Sequence, residues 1–217
     1  MDMRLYDLRN EHIVDLDLLP KRPFVVDAGA GYGEFAESFK TLMEKRGFDK
    51  GLVVGIEPNK RNCGVLRSKS GLHRVVLEQA LVGKVDPSLT FWSYTGPQGK
   101  YHQWGNLYGD NRERMALDKS VKIESYHVAQ VGIRDLWKTV SGLGWAVDRI
   151  DYLKIDVEGA EAGIFRNWSD SLTSVVSQVS VETHSREAIF IVEKCLRCRY
   201  PTFLVRGNEV YAGKRKL

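Results

Sequence analysis

Long apolar runs are missing from this 217-residue chain. With no stretch of about 18 or more apolar residues, a membrane-spanning helix is excluded. The first twenty residues, MDMRLYDLRNEHIVDLDLLP, mix acids and bases among their leucines and lack a secretory apolar core. A cytoplasmic location is therefore expected. Cysteine is scarce: Cys63, Cys195 and Cys198 are the three present, an odd number that argues against a disulfide scaffold and suits a reducing compartment. Cys195 and Cys198 form a C-x-x-C with no second ligand pair, so they read as ordinary thiols near a helix end. An excess of one charge is also lacking. Lys and Arg total 32 against 28 Asp and Glu, for a net charge of +4 and a pI near 8.9. That balance permits an anionic partner without demanding one, and the one dense basic cluster is the tail Lys214-Arg215-Lys216, so nucleic acid is not favoured.

No repeat, low-complexity tract or Gly/Ser-rich linker divides the chain, which reads as a single domain over residues 23–217. Residues 1–22 read as an N-terminal extension packed on it. Short apolar runs alternate with amphipathic stretches, the rhythm of βαβ units. Strands are expected over 23–28, 51–57, 74–82, 150–157 and 175–181. Helices are expected over 33–46 and from about 59 to 69. Two last strands, 202–206 and 210–213, flank a Gly207-Asn208 hairpin turn. The expected fold is α/β: a Rossmann-like, seven-stranded, mostly parallel sheet with helices on both faces and an antiparallel terminal hairpin. The stretch 83–149 is too long for one crossover. It holds alternating segments at 89–94 and 122–130, and between them YHQWGNLYGDN (101–111) is rich in aromatics and glycine. Residues 96–120 are read as a substrate loop, with His102, Trp104 and Asn106 as candidate substrate contacts, although a packed surface excursion fits the same string.

Four constellations carry chemistry. In Asp27-Ala28-Gly29-Ala30-Gly31-Tyr32-Gly33, a strand ends in an acid and three alternate glycines lead into a helix. Such glycines allow positive φ and close approach of a ligand, and ligands of open α/β sheets lie beyond the carboxyl ends of the strands. A dinucleotide fingerprint starting at Gly29 needs glycine at position 34, which is Glu34. An acid there repels a pyrophosphate at the helix N-terminus. It tolerates S-adenosylmethionine, which carries no phosphate. Glu57-Pro58 closes the second strand, where a carboxylate can accept hydrogen bonds from ribose hydroxyls. Glu78-Gln79-Ala80-Leu81 lies where a side chain and backbone amides can read an adenine edge. In DYLKIDVEGAE (151–161), Asp156 and Glu158 arrive together at a strand end. Two acids in one short turn call for a cation, a proton or a metal. His184 is a further candidate base, since histidine is suited to proton removal near neutral pH, or else a structural side chain. Asp156, Glu158, Glu182 and His184 also have the chemistry of a hard-metal site, but spacing alone does not bring them together, and no metal is assigned.

In order and spacing, VDAGAGYGEF, GIEPN, EQALVG, DYLKIDVEGAE and VSVETH resemble the FkbM family of methyltransferases, from about Phe24 to His184. The resemblance implies the class I methyltransferase sheet, S-adenosylmethionine as cofactor, and O-methylation of hydroxyls on a sugar, glycan or small natural product. It implies that Asp27, Gly29, Gly31 and Gly33 surround the methionine end, and Ala30 and Tyr32 of the same turn are further cofactor-binding candidates. Glu57 and Pro58 then lie by the ribose, Gln79 and Ala80 by the adenine. Asp156, Glu158 and His184 line the transfer site as catalytic candidates. Methylation of RNA or protein, and a non-catalytic cofactor-binding module, stand as alternative readings.

Overall fold

The computed structural model describes residues 5–8, 12–48, 51–69, 71–96, 105–107 and 119–214. An N-terminal hairpin of β1 (Leu5–Leu8) and β2 (His12–Asp15) precedes the first strand of the main sheet, β3 (Phe24–Ala28). Then follow β4 (Leu52–Ile56), β5 (Val75–Leu77), β6 (Gln79–Val82), β7 (Thr90–Thr95), β8 (Gly105–Asn106), β9 (Lys122–His127) and β10 (Ala129–Gly132). The chain closes with β11 (Tyr152–Ile155), β12 (Gln178–Glu182), β13 (Thr202–Arg206) and β14 (Glu209–Gly213). The main sheet has seven strands in the order β13-β14-β12-β11-β3-β4-β5. Only β14 opposes the rest: it is antiparallel to both β12 and β13, which leaves β13 running with the parallel set. The expected antiparallel terminal hairpin is the β13–β14 pair.

Two expectations shift. The run 74–82 is not one strand, because it breaks at Glu78, whose carboxylate turns out to Arg67 at 3.2 Å. Its first half stays in the main sheet, and its second leaves to pair in parallel with β10. The run 122–130 likewise divides, giving β9 to a three-stranded sheet with β7 and β8 while β10 pairs with β6.

Strand alternation sorts the main sheet into two unlike faces. Phe24, Val26, Ala28, Val54, Ile56, Leu153, Ile155, Val179, Val181, Val210 and Ala212 enter a large apolar core. Leu136 and Val140 of helix Leu136–Ser141, Ile164 and Phe165 of helix Glu161–Arg166, and Val192 and Leu196 of helix Arg186–Arg197 fill the same core. The opposite parity puts Val25, Val53 and Tyr152 into a smaller core under helix Glu34–Lys45 and the N-terminal hairpin. Asp27, Lys154, Gln178 and Ser180 share that parity, and all four are buried. Gln178 binds the backbone of Asp15 in both directions, at 2.9 and 3.1 Å, and so fastens the hairpin to β12. Among the described residues no helix is long and apolar enough to cross a membrane.

Candidate functional site

The turn after β3 is built for close approach. Gly29, Gly31 and Gly33 have φ of 76, 55 and 90°, the left-handed region in which a side chain is strained. A Cβ on Gly29 would fall 1.6 Å from the Asp156 carbonyl oxygen, so the turn presses directly on the end of β11. The Gly29 amide donates to the Ile56 carbonyl at 2.9 Å, Ala30 donates to the same oxygen at 3.3 Å, and Lys69 Nζ reaches the Tyr32 carbonyl at 2.6 Å.

Beneath this turn lies a buried ionic group. Lys154 Nζ donates to the Gly29 carbonyl at 2.5 Å and sits 3.3 Å from Asp27 Oδ1 and 3.4 Å from Asp156 Oδ2. His73 Nε2 donates to Asp27 Oδ2 at 3.0 Å. Burial alone would raise the Asp27 pKa, but Lys154 and His73 pull it down to about 2. Burial would also discharge Lys154. Asp27 and Asp156 outweigh it and raise its pKa, so the lysine stays charged.

Glu57 is 5% exposed and aims its carboxylate at the glycine turn. Its oxygens accept from the amides of Gly31 and Asn59, each at 2.9 Å, and from Asn62 Nδ2 at 3.2 Å. An ionised carboxylate has about four acceptor positions, so one is left for a ligand. Burial pushes the Glu57 pKa up to about 7 against those bonds. Asn59 caps helix Lys60–Ser68 through the amides of Arg61 and Asn62, and its Nδ2 reaches Ser93 Oγ on β7 at 3.2 Å. The Pro58 carbonyl accepts from Tyr126 of β9 at 3.5 Å. The small three-stranded sheet is thereby tied to the Glu57 end of the site. Gln79 opens β6 with its Oε1 buried and without a partner among the described residues, while Ala80 and Leu81 belong to the apolar core.

On the other side of the glycine turn, Asp156, Glu158 and His184 come together. His184 Nε2 lies 3.7 Å from Asp156 Oδ1 and 3.5 Å from Glu158 Oε2, and Nδ1 donates to Glu161 Oε1 at 2.8 Å. Glu158 has φ of 52°, the one positive value for a non-glycine among the described residues. Such a conformation costs on the order of 1–2 kcal/mol and is found where a side chain must be aimed. Glu161 is fully buried and also accepts from the Gly159 amide at 3.0 Å, which fixes the turn and the imidazole together. Burial works to lower the His184 pKa. The hydrogen bond and charge of Glu161, helped by Glu158 and Asp156, override it and raise the value to about 9. The raised value favours the imidazolium at pH 7, with three carboxylates around the ring. Burial raises the Glu158 pKa to about 7 although His184 opposes it.

The anticipated carboxylates and His184 thus converge. His102 and Trp104 lie outside the described residues, as do most of residues 96–120, and Asn106 is described only as part of β8. Sequence reading gave no role to Lys154, Glu161, His73 or His12. Lys154 carried a signal, since lysine inside an apolar strand is almost never buried without a partner. The histidines carried none, because only the folded sheet brings them to this face.

The profile of the methyltransferase FkbM domain matches residues 27–200. The chain is 27% identical over 191 residues to Methyltransferase 1 of Beauveria bassiana (strain ARSEF 2860), covering 84% of this chain and 73% of that protein. It is 27% identical over 197 residues to Methyltransferase sdnD of Sordaria araneosa, covering 82% and 72%. Among solved structures, the methyltransferase FkbM of Methylobacillus flagellatus KT superposes with a TM-score of 0.51 at 15% identity, a likeness of fold. That match takes in 91% of this chain but 45% of the other, so the chain spans under half of that protein's length.

Proposed function

Because the chain belongs to the methyltransferase FkbM domain family, we propose that it transfers the methyl group of S-adenosylmethionine to a hydroxyl of a sugar, glycan or small natural product. One juxtaposition carries the reading. A glycine turn too tight for a Cβ lies between the acceptor carboxylate of Glu57 and the carboxylate–imidazolium cluster of Asp156, Glu158 and His184. The cofactor fits this frame. Gln79 Oε1 is an orphaned buried acceptor suited to an exocyclic amine, Glu57 keeps one acceptor position for a ribose hydroxyl, and the turn offers bare backbone to an amino-acid tail. When bound, S-adenosylmethionine supplies an electrophilic methyl group on a sulfonium.

The chain's own part is to hold the reactants in line and to manage one proton. Asp156 and Glu158 set a negative wall that suits a cationic centre. His184 Nε2, between those two carboxylates, is positioned to take the proton of an attacking hydroxyl once it is neutral. With a pKa of about 9, only about 1% of His184 is neutral at pH 7. A bound cationic sulfonium enlarges that fraction by disfavouring the imidazolium.

Calorimetry tests the cofactor. S-adenosylmethionine and S-adenosylhomocysteine are expected to bind and NAD is not. Glu57→Ala weakens both sulfur nucleosides by about 1.5–3 kcal/mol, the cost of a lost charge-assisted hydrogen bond. Binding of NAD in preference to the sulfur nucleosides would end this reading.

A further inference from the structure

His12 comes from β2, before the residues that match the family profile, yet it reaches the transfer site. It is 3% exposed and stands edge-on to Phe35, with ring centroids 5.6 Å apart. Its Nδ1 is 3.3 Å from Ser180 Oγ, and the Ser180 hydroxyl donates its proton to Glu209 Oε1 at 3.1 Å. Ser180 must then accept from the imidazole, which puts the proton on Nδ1 and the lone pair on Nε2. Burial, reinforced by Lys154, pushes the pKa down to about 4, so the ring keeps that lone pair at neutral pH. One ring nitrogen of His12 and one carboxylate oxygen each from Asp156 and Glu182 lie within 4.8 Å of one another. Nδ1 is committed to Ser180, and Nε2 has no hydrogen bond among the described residues. An accepting nitrogen on a nearly buried ring, beside the carboxylates of Asp156 and Glu182, is open to a donor from outside the chain.

The donor is better supplied by a neutral hydroxyl than by a divalent cation. Asp156 already faces two positive groups, Lys154 at 3.4 Å and His184 at 3.7 Å, and a metal ion beside it would be repelled by both. Asp156 belongs to two clusters, one with His184 and Glu158 and one with His12 and Glu182. Asp156 thus links the two histidines, and a molecule lying across it with one hydroxyl toward His184 can present a neighbouring hydroxyl to His12.

We infer that His12 Nε2 accepts a hydrogen bond from a second hydroxyl of the methyl acceptor, so that the site selects a vicinal diol over an isolated alcohol. This rests on the methyltransferase reading and narrows its substrate class.

The test uses the full chain saturated with S-adenosylhomocysteine, with cis-1,2-cyclohexanediol, cyclohexanol and Mg²⁺ as probes. Nitrogen NMR of ¹⁵N-histidine-labelled protein should show His12 protonated on Nδ1 and bare on Nε2. The Nε2 resonance should move when the diol is added and stay in place with cyclohexanol. The diol should bind about tenfold more tightly than cyclohexanol, the equivalent of one hydrogen bond, and His12→Ala should erase that preference. A protonated Nε2, a preference that survives His12→Ala, or an Nε2 shift produced by Mg²⁺ alone would each overturn the inference. The spectra of the unsubstituted protein decide even if His12→Ala does not fold. Failure of S-adenosylhomocysteine to bind defeats the methyltransferase reading itself, whereas a bound nucleoside without diol preference defeats only the role of His12.

Discussion

A histidine whose Nδ1 is held by a buried carboxylate is a stronger base than a free imidazole, and Glu161 makes His184 such a residue. Its folded pKa, about 9, lies above the ordinary 6.5. It therefore stabilises the fold fully below pH 6.5, and that contribution is lost as pH rises through about 9. Proton NMR of the His184 ring should titrate near 9 in the native protein. In Glu161→Gln the largest raising influence is gone, so the midpoint should fall by at least about one unit. The rate of methyl transfer should track the same group, rising with pH toward 9 in the native protein and levelling off earlier in Glu161→Gln. A midpoint unmoved by the substitution would show that Glu161 does not set the basicity of His184. The pH limb distinguishes this role from a purely structural one, since lost packing lowers the rate without moving its midpoint.

Two glycines show how much the elements around the site depend on backbone alone. Gly29 combines a φ of 76° with a Cβ position 1.6 Å from the Asp156 carbonyl oxygen, and that neighbour is backbone that cannot rotate aside. Gly64 sits in helix Lys60–Ser68 with nothing within 4 Å of its Cβ position. Urea unfolding should show Gly29→Ala destabilised by at least about 2–3 kcal/mol, from overpacking and left-handed strain together. Gly64→Ala should be stabilised by roughly 0.5–1 kcal/mol through helix propensity and a less flexible unfolded chain. Equal effects would mean that the turn after β3 yields more readily than its contacts imply. At this scale most of the fold was legible. The apolar runs of β3, β4 and β11 and the helix after the glycine turn have strong periods. The break at Glu78 was not legible, because nothing local in RVVLEQALV says that its second half pairs with a strand some fifty residues later. That choice is made by which sheet has a free edge.

Across the whole molecule, the two faces of the sheet divide the labour, and this explains which site residues could be read in advance. The carboxylates at strand ends are written in local motifs. The buried group of Asp27, Lys154, His73, Ser180 and His12 exists only because one strand parity faces the N-terminal hairpin, a fact of topology rather than of any one string. The hairpin consequently completes a core. Leu8, Val14, Leu16 and Leu19 are buried with Phe35, Phe39 and Tyr152, where the Tyr152 ring centroid lies 5.6 and 6.2 Å from those of Phe35 and Phe39, and Tyr152 donates to the Ile13 carbonyl at 3.1 Å. Full burial of an aliphatic side chain contributes about 1.5–3 kcal/mol, so these four amount to roughly 6–12 kcal/mol. That is comparable to the whole stability of a typical domain, about 5–15 kcal/mol. Deleting residues 1–22 should therefore abolish cooperative thermal unfolding or lower its midpoint by more than about 10 °C, with new binding of a hydrophobic dye to the uncovered aromatic face. The polar residues of that face make the result sharper. Once uncovered, the Asp27–Lys154 pair gains water and loses its reason to stay closed under the glycine turn, so affinity for S-adenosylhomocysteine should fall with stability. A truncated chain with an unchanged melting midpoint would mean that the sheet holds its buried charges without the hairpin, and that the hairpin only decorates the domain.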